Sequence, residues 1–250
     1  MRQDSRITGF EVIHLQETVS TNAWLLENGS DHDCAVWADY QTAGRGCGTN
    51  KWESERGMNL LFSVLVHPVT LSARQQFYLS MAVSLAFTDV LAACGVEPLR
   101  IKWPNDIYWR DRKLCGILIE NKLSGTTVRQ SIIGAGLNVN QTLFLSDAPN
   151  PVSMKQILGK DTDREQLLND ILRAFSSRLT LLSAGDTALR RLHDDYLSRL
   201  YRRDGFHSYH DADGDFEARI VTVEASGHLL LQDREGRERR YGFKEVNIIL

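Results

Sequence analysis

Only four cysteines occur in the 250-residue chain, Cys34, Cys47, Cys94 and Cys115. None stands in a Cys-x-x-Cys pair, which argues against a zinc ribbon and a dithiol redox motif. Their wide spacing suits thiols in a reducing compartment. A basic excess is missing too. The formal net charge is −3, which gives no global field for nucleic acid or an anionic membrane surface. The first residues, MRQDSRITGF, hold no long apolar core and so no secretory signal. No apolar run is read as reaching the length of a membrane span. The cytoplasm is therefore the expected compartment. Internal repeats and low-complexity tracts are not found, and the Walker pattern GxxxxGK[ST] does not occur. What is left is an ordinary globular composition, 42% hydrophobic and 24% charged. Such a length allows one large domain, or a domain with a small module, and it folds without staples.

The pattern along the chain is mixed. Residues 10–15, FEVIHL, read as a strand, and Ser20-Thr21-Asn22 reads as a helix start with a serine or threonine cap. Residues 35–39 and 59–66 are buried-strand candidates. Residues 72–94 carry apolar side chains at helical intervals, with Ser72 placed to cap the start and Gly95 to end the helix. Short strands are expected at 99–103, 106–109, 114–120 and 128–136, and amphipathic helices at 163–182 and 186–200. This makes the first part α+β or mixed α/β. Residues 204–214 are polar and turn-rich. Beyond them a strongly alternating stretch, with hairpin turns at Ser226-Gly227 and Glu235-Gly236, predicts a small β module of four or five strands. The expected domains are 1–203 and 204–250, the second docked on the first.

Four stretches can carry chemistry. GRGCGTNKW, 44–52, places Gly44, Gly46 and Gly48 around Arg45 and ends on Trp52. Glycines let backbone N–H groups approach a ligand, and Arg45 offers a donor fork for phosphate or carboxylate. The plain alternative is a surface turn with a core tryptophan. KWPNDIYWRDRKLCGILIE, 102–120, sets a Pro-Asn-Asp turn before Lys113, which stands at the mouth of an apolar strand containing Gly116. That lysine can stabilise a developing negative charge, or merely snorkel. In IIGAGLNVN, 132–140, small residues let something lie against the chain, either a ligand or a packed helix. Ser20-Thr21-Asn22 can cap a helix and face a pocket at once.

Each stretch is weak alone. Their order is not. STN, then YQTAGRG…W, then KWPNDIY…RKLCGILIE, then IGAGLNVN closely resembles the biotin–protein ligase family over roughly residues 10–200. The resemblance implies a central mixed or antiparallel sheet flanked by helices, with a small C-terminal SH3-like β-barrel. It implies ATP-dependent activation of biotin to biotinyl-5′-AMP, then transfer to one lysine of a biotin carboxyl carrier protein. By the same resemblance Ser20, Thr21, Asn22 and Gln41 face biotin, with Gly44, Arg45, Gly46 and Cys47 closing over its carboxylate. Gly116 also faces biotin, and Lys113 and Asp106 stand at the reaction centre. Trp52, Asn105 and Asn138 face the adenylate. Mg²⁺ bridges phosphates without a protein cage, so no residue is assigned to a metal. The loop is expected to order over the adenylate. The first ligase-like strand begins near residue 10, so a winged-helix DNA reader and a repressor role are not expected. Oligomeric state is not legible.

Lipoate ligases and octanoyltransferases share the implied fold, but their RRxxGGGxVxHD-like stretch is not found. A non-catalytic ligand-binding regulator is disfavoured by Lys113 and Arg45, and a scaffold leaves the glycine loop unexplained. One departure matters. The family loop usually reads GRGxxGRxW, whereas here the later glycine is Gly48 and the usual arginine is Asn50. Lys51 replaces part of that charge. The expected outcome is faster escape of biotinyl-adenylate than in arginine-containing relatives, read as the half-life of the bound intermediate. An equal half-life would contradict it.

Overall fold

The computed structural model describes residues 5–7, 9–29, 31–46, 48, 50–68, 71–145 and 150–249. Cys47 lies outside them. In chain order the elements are β1 (Ser5–Ile7), β2 (Phe10–Leu15), α1 (Thr21–Asn28), β3 (Cys34–Ala38), β4 (Leu60–Val66) and α2 (Phe77–Ala93). Then come β5 (Leu99–Lys102), β6 (Asp106–Trp109), β7 (Arg112–Ser124) and β8 (Thr127–Leu137). Three helices follow, α3 (Met154–Leu158), α4 (Arg164–Leu179) and α5 (Asp186–Ser198). The chain closes with β9 (His207–Asp211), β10 (Gly214–Val223), β11 (Leu229–Asp233), β12 (Glu238–Tyr241) and β13 (Asn247–Ile248).

The larger sheet has eight strands in the order β1-β2-β3-β4-β8-β7-β6-β5. β2 and β3 pair in parallel across the α1 crossover, and the other neighbours are antiparallel. It is the mixed sheet flanked by helices that the motifs imply. Alternation assigns its faces. Cys34, Val36, Leu65 and Ile132 pack with Leu25 of α1 on one face. Ala35, Trp37, Phe62, Val64 and Ile133 join the main core on the other, with α2, α4 and α5. α2 is apolar nearly all round because it runs through that core. Counted from Ala73 it has 21 residues, with an 18-residue window of mean hydropathy 1.3, long and apolar enough to cross a membrane, contrary to the sequence expectation. Here the segment is a core helix, with 61% of that window buried.

Other differences have local causes. Ser72 does not cap α2. It precedes a 3₁₀ turn, and its Oγ donates to Gln75 Oε1 at 2.9 Å. α3 was not anticipated, although Ser153 and Gln156 form a complete capping box at its start. β9 lies where only turns are expected, because HSYHD buries a single apolar side chain, Tyr209, and shows no hydrophobic alternation.

The second sheet is five-stranded and antiparallel, in the order β12-β11-β10-β9-β13, as expected for a small SH3-like unit. Its apolar residues share one core with the larger sheet. Trp103 Nε1 donates to Gly227 O at 2.9 Å, and Phe243 packs against Trp103 and Phe77. Between β10 and β11, Glu224 accepts two bonds from Arg240, both at 2.8 Å. The Arg240 bonds hold the Glu224 carboxyl down to about 2. Its folded value lies below its unfolded one, so its contribution is full at neutral pH and is lost as pH falls through the carboxylate range. Glu224→Gln is therefore expected to lower stability at neutral pH and to flatten its decline in acid. Thermal unfolding of both proteins as a function of pH checks this.

Candidate active site

The site is built on the α1 face of the larger sheet. Ile132 packs on Leu25 of α1, so Gly134 and Gly136 of β8 point the same way by strand alternation. Gly136 pairs with Gly116 of β7, and Gly134 with Ser63 of β4. α1 is only eight residues long and covers part of this face. Much of the rest is a floor of glycine: Gly116, Gly134 and Gly136. A Cβ at Gly134 would collide with the Asn22 side chain, and one at Gly136 would lie 2.6 Å from Trp52 Nε1. One at Gly116 would lie 2.8 Å from Trp52 Cζ3. The small residues of IGAG thus admit one polar side chain and one indole.

A chain of polar groups runs along the floor. Gln41 Oε1 accepts from Thr21 N at 2.7 Å and lies 3.1 Å from Thr21 Oγ1. Gln41 thereby caps α1, whereas Ser20 has cap geometry but makes no side-chain cap bond. Ser63 Oγ is 2.7 Å from Thr21 Oγ1 and 2.6 Å from Asn22 Oδ1, so its single proton serves one of them at a time. Asn22 Nδ2 donates to Glu120 Oε2 at 2.6 Å. Arg45 Nη2 reaches the same oxygen at 3.1 Å. The helix start and the glycine loop are therefore joined through the buried Asn22 amide and one carboxylate.

The described part of the loop forms a small hairpin. Trp52 N donates to Gly44 O at 2.9 Å, Gly46 N donates to Asn50 O at 2.8 Å, and Arg45 bridges Lys51. Gly44 lets the two ends of the loop pass, since a Cβ there would sit 2.8 Å from Trp52 O. The indole of Trp52 rests on the floor, with Lys113 Nζ 5.6 Å from its ring. Lys113 forms an ion pair with Asp106 Oδ2 at 2.8 Å. Lys102 is close by, its Nζ donating to Tyr108 Oη at 3.3 Å. Burial pushes the Lys102 ammonium down from the usual lysine value and pushes the Tyr108 phenol up.

These groups line one cavity of about 680 Å³. Ser20, Thr21, Asn22, Gln41, Arg45 and Gly46 form one part of its wall. Trp52, Asn105, Asp106, Lys113, Gly116 and Asn138 form another. The biotin/lipoate A/B protein ligase family model matches residues 9–138. The chain belongs to that family. Over 234 residues it is 31% identical to the bifunctional ligase/repressor BirA of Bacillus subtilis, covering 91% of this chain and 70% of that protein. It is also 31% identical over 242 residues to the biotin–[acetyl-CoA-carboxylase] ligase of Paracoccus denitrificans, covering 90% of this chain and 95% of that one. The fold superposes on the biotin protein ligase of Aquifex aeolicus in complex with biotin and ATP with a TM-score of 0.79. Identity there is 26%, covering 95% of this chain and 98% of that one.

Within this ligase-family site, the sequence-expected residues fall into two groups. Most face the cavity. Gly44 does not, being the base of the loop hairpin. Two amides are largely spoken for inside the protein. Asn105 Nδ2 donates to Ile117 O, and Asn138 Nδ2 donates to Val152 O at 3.1 Å. Asn138 Oδ1 is buried and has no partner, which leaves an acceptor rather than a donor for a ligand. Ser63, Glu120 and Lys102 are among the groups that escaped the sequence reading. Ser63 had a signal, as the polar residue inside LLFSVLV, while Glu120 and Lys102 are charges at the ends of the quoted 102–120 stretch with no local feature that marks them. Gly136→Ala is expected to lift the indole from the floor while leaving the fold intact. The check is a red shift in tryptophan emission that vanishes in a Trp52→Phe background.

Proposed function

We propose that this chain joins biotin to a lysine of a biotin carboxyl carrier protein in two steps. A biotin carboxylate oxygen attacks the α-phosphorus of ATP, the bond to pyrophosphate breaks, and biotinyl-5′-AMP stays bound. The carrier's lysine then attacks the acyl carbon, AMP leaves, and the amine proton passes to solvent. The observation that carries this reading is that Arg45 and Lys113 line one cavity with the Thr21–Gln41 polar corner. Both reacting groups of the first step are anionic, so their approach needs fixed cations. At an effective dielectric of 20, two unit charges 4 Å apart interact by about 4 kcal/mol, enough to decide whether they meet.

Within the reading, Thr21, Gln41 and Ser20 hold the ureido ring, and Asn22 and Gly116 shape the slot around it. Arg45 leaves Glu120 for the carboxylate and phosphate. That exchange is easy, since partly exposed ion pairs contribute only ~0–1 kcal/mol. Lys113 stabilises charge at the carboxylate–phosphate junction, and Asp106 orients it. Trp52 and Asn138 flank the adenine, whose amino group suits the unpartnered Asn138 Oδ1. Mg²⁺ would be held by nucleotide phosphates and water rather than by a protein cage. Bound there, it neutralises phosphate charge. We take 1–203 as the catalytic domain and 204–250 as the C-terminal one, working in the cytoplasm.

The test is incubation with ATP, Mg²⁺, biotin and a biotin-carrier domain, read as a mass increase on the carrier's lysine. Lys113→Ala is expected to slow the reaction about 10²–10³-fold with an unchanged circular dichroism spectrum. Modification by lipoate in preference to biotin would overturn the reading.

A further inference from the structure

Five cationic side chains line the cavity: Arg45, Lys51, Lys102, Lys113 and Lys244. Arg45 is paired with Glu120 and Lys113 with Asp106. Lys102 is hydrogen-bonded to Tyr108, and burial lowers its pKa from the usual lysine value. Among the described residues Lys51 and Lys244 make no ion pair. Both side chains are exposed at the cavity wall, so each is free to meet an anionic group that enters.

Lys244 differs from Lys51 in how it is held. It does not belong to the larger sheet at all. It sits in the turn between β12 and β13, directly after Phe243, which is wedged against Phe77 and Trp103. Its backbone is left-handed, with φ at 68°. That conformation is unfavourable for any residue with a Cβ and is normally left to glycine. The position therefore carries strain, and a lysine occupies it nonetheless. From there the side chain crosses to the glycine loop. A Cβ at Gly48 would collide with the Lys244 ammonium, so this loop position accommodates the lysine by having no side chain.

We propose that Lys244 binds the outer phosphates of ATP, the ones that leave as pyrophosphate, and so makes the C-terminal sheet part of the active site. The inference rests on the ligase reading above. In that reading Arg45 and Lys113 serve the carboxylate and the α-phosphate. The outer phosphates carry most of the nucleotide's charge and need a further cation, and the Lys244 ammonium lines the cavity against Gly48 of the loop. The loop here has Asn50 where the family pattern has arginine. Lys244 supplies positive charge to the same loop from the other side.

The experiment is biotin-dependent ATP–pyrophosphate exchange by the full chain carrying Lys244→Gln, Lys244→Gly or Lys244→Arg. Lys244→Gln should raise KM for ATP about tenfold, or 1.4 kcal/mol, with KM for biotin unchanged. The inhibition constant of AMP, which lacks the outer phosphates, should also be unchanged. Lys244→Arg should keep most of the ATP affinity. Lys244→Gly should lose it while raising the melting temperature, because glycine relieves the left-handed strain. Unchanged KM for ATP in Lys244→Gln and Lys244→Gly, or an equal loss of AMP affinity, overturns the inference and leaves the ligase reading standing. Failure of the unaltered protein to show any biotin-dependent exchange overturns both.

Discussion

Close approach to a glycine-lined stretch of sheet is the constraint on which this site depends. Gly116, Gly134 and Gly136 lie together on the α1 face, and a methyl at any of them would occupy space already held by Asn22 or the Trp52 indole. Packed interiors do not absorb such a methyl without displacement. Because Asn22 lies flat there, it can link Ser63 to Glu120. Because Glu120 is fixed, Arg45 has a place to rest. The glycine floor thus sets the position of groups it does not touch.

Charge is arranged on that floor in compensated pairs. Arg45–Glu120 and Lys113–Asp106 each keep a cation at the cavity without leaving it bare. A fully buried pair would resist exchange of partners, since separating it leaves an uncompensated charge at a cost of several kcal/mol. These pairs are partly exposed and weakly held, so an anionic substrate can replace the carboxylates. This is how cations can be both pre-positioned for chemistry and stable before substrate arrives.

The second sheet bears on the site by packing rather than by sequence proximity. Trp103, inside KWPND, donates to Gly227, 124 residues away, and the adjoining turn carries Phe243 and Lys244 to the cavity. The Pro-Asn-Asp hairpin is thereby gripped between the floor on one side and the β10–β11 turn on the other. A small module that could not hold a pocket alone becomes one wall of a shared one.

Motif order and residue type were legible because they are local: glycine spacing, the Pro-Asn-Asp turn, the strand entered by Lys113, and the alternation that marks most strands. From these came the family and the sheet with flanking helices, and most of the site residues named from the sequence line the cavity. Partner choice was not legible. Asn22 meets Glu120 across 98 residues and Arg45 meets Glu120 across 75, and nothing in either neighbourhood announces the other. Nor could sequence tell that Gln41 rather than Ser20 caps α1, or that the donor of Asn138 is already taken by Val152. Chain order by itself determined which chemical groups this protein possesses and which strands and helices carry them, since backbone preference and side-chain periodicity act over a few residues. Only the tertiary structure decided which groups face one another, because register, the glycine floor and the docking of the second sheet arise from contacts between distant segments.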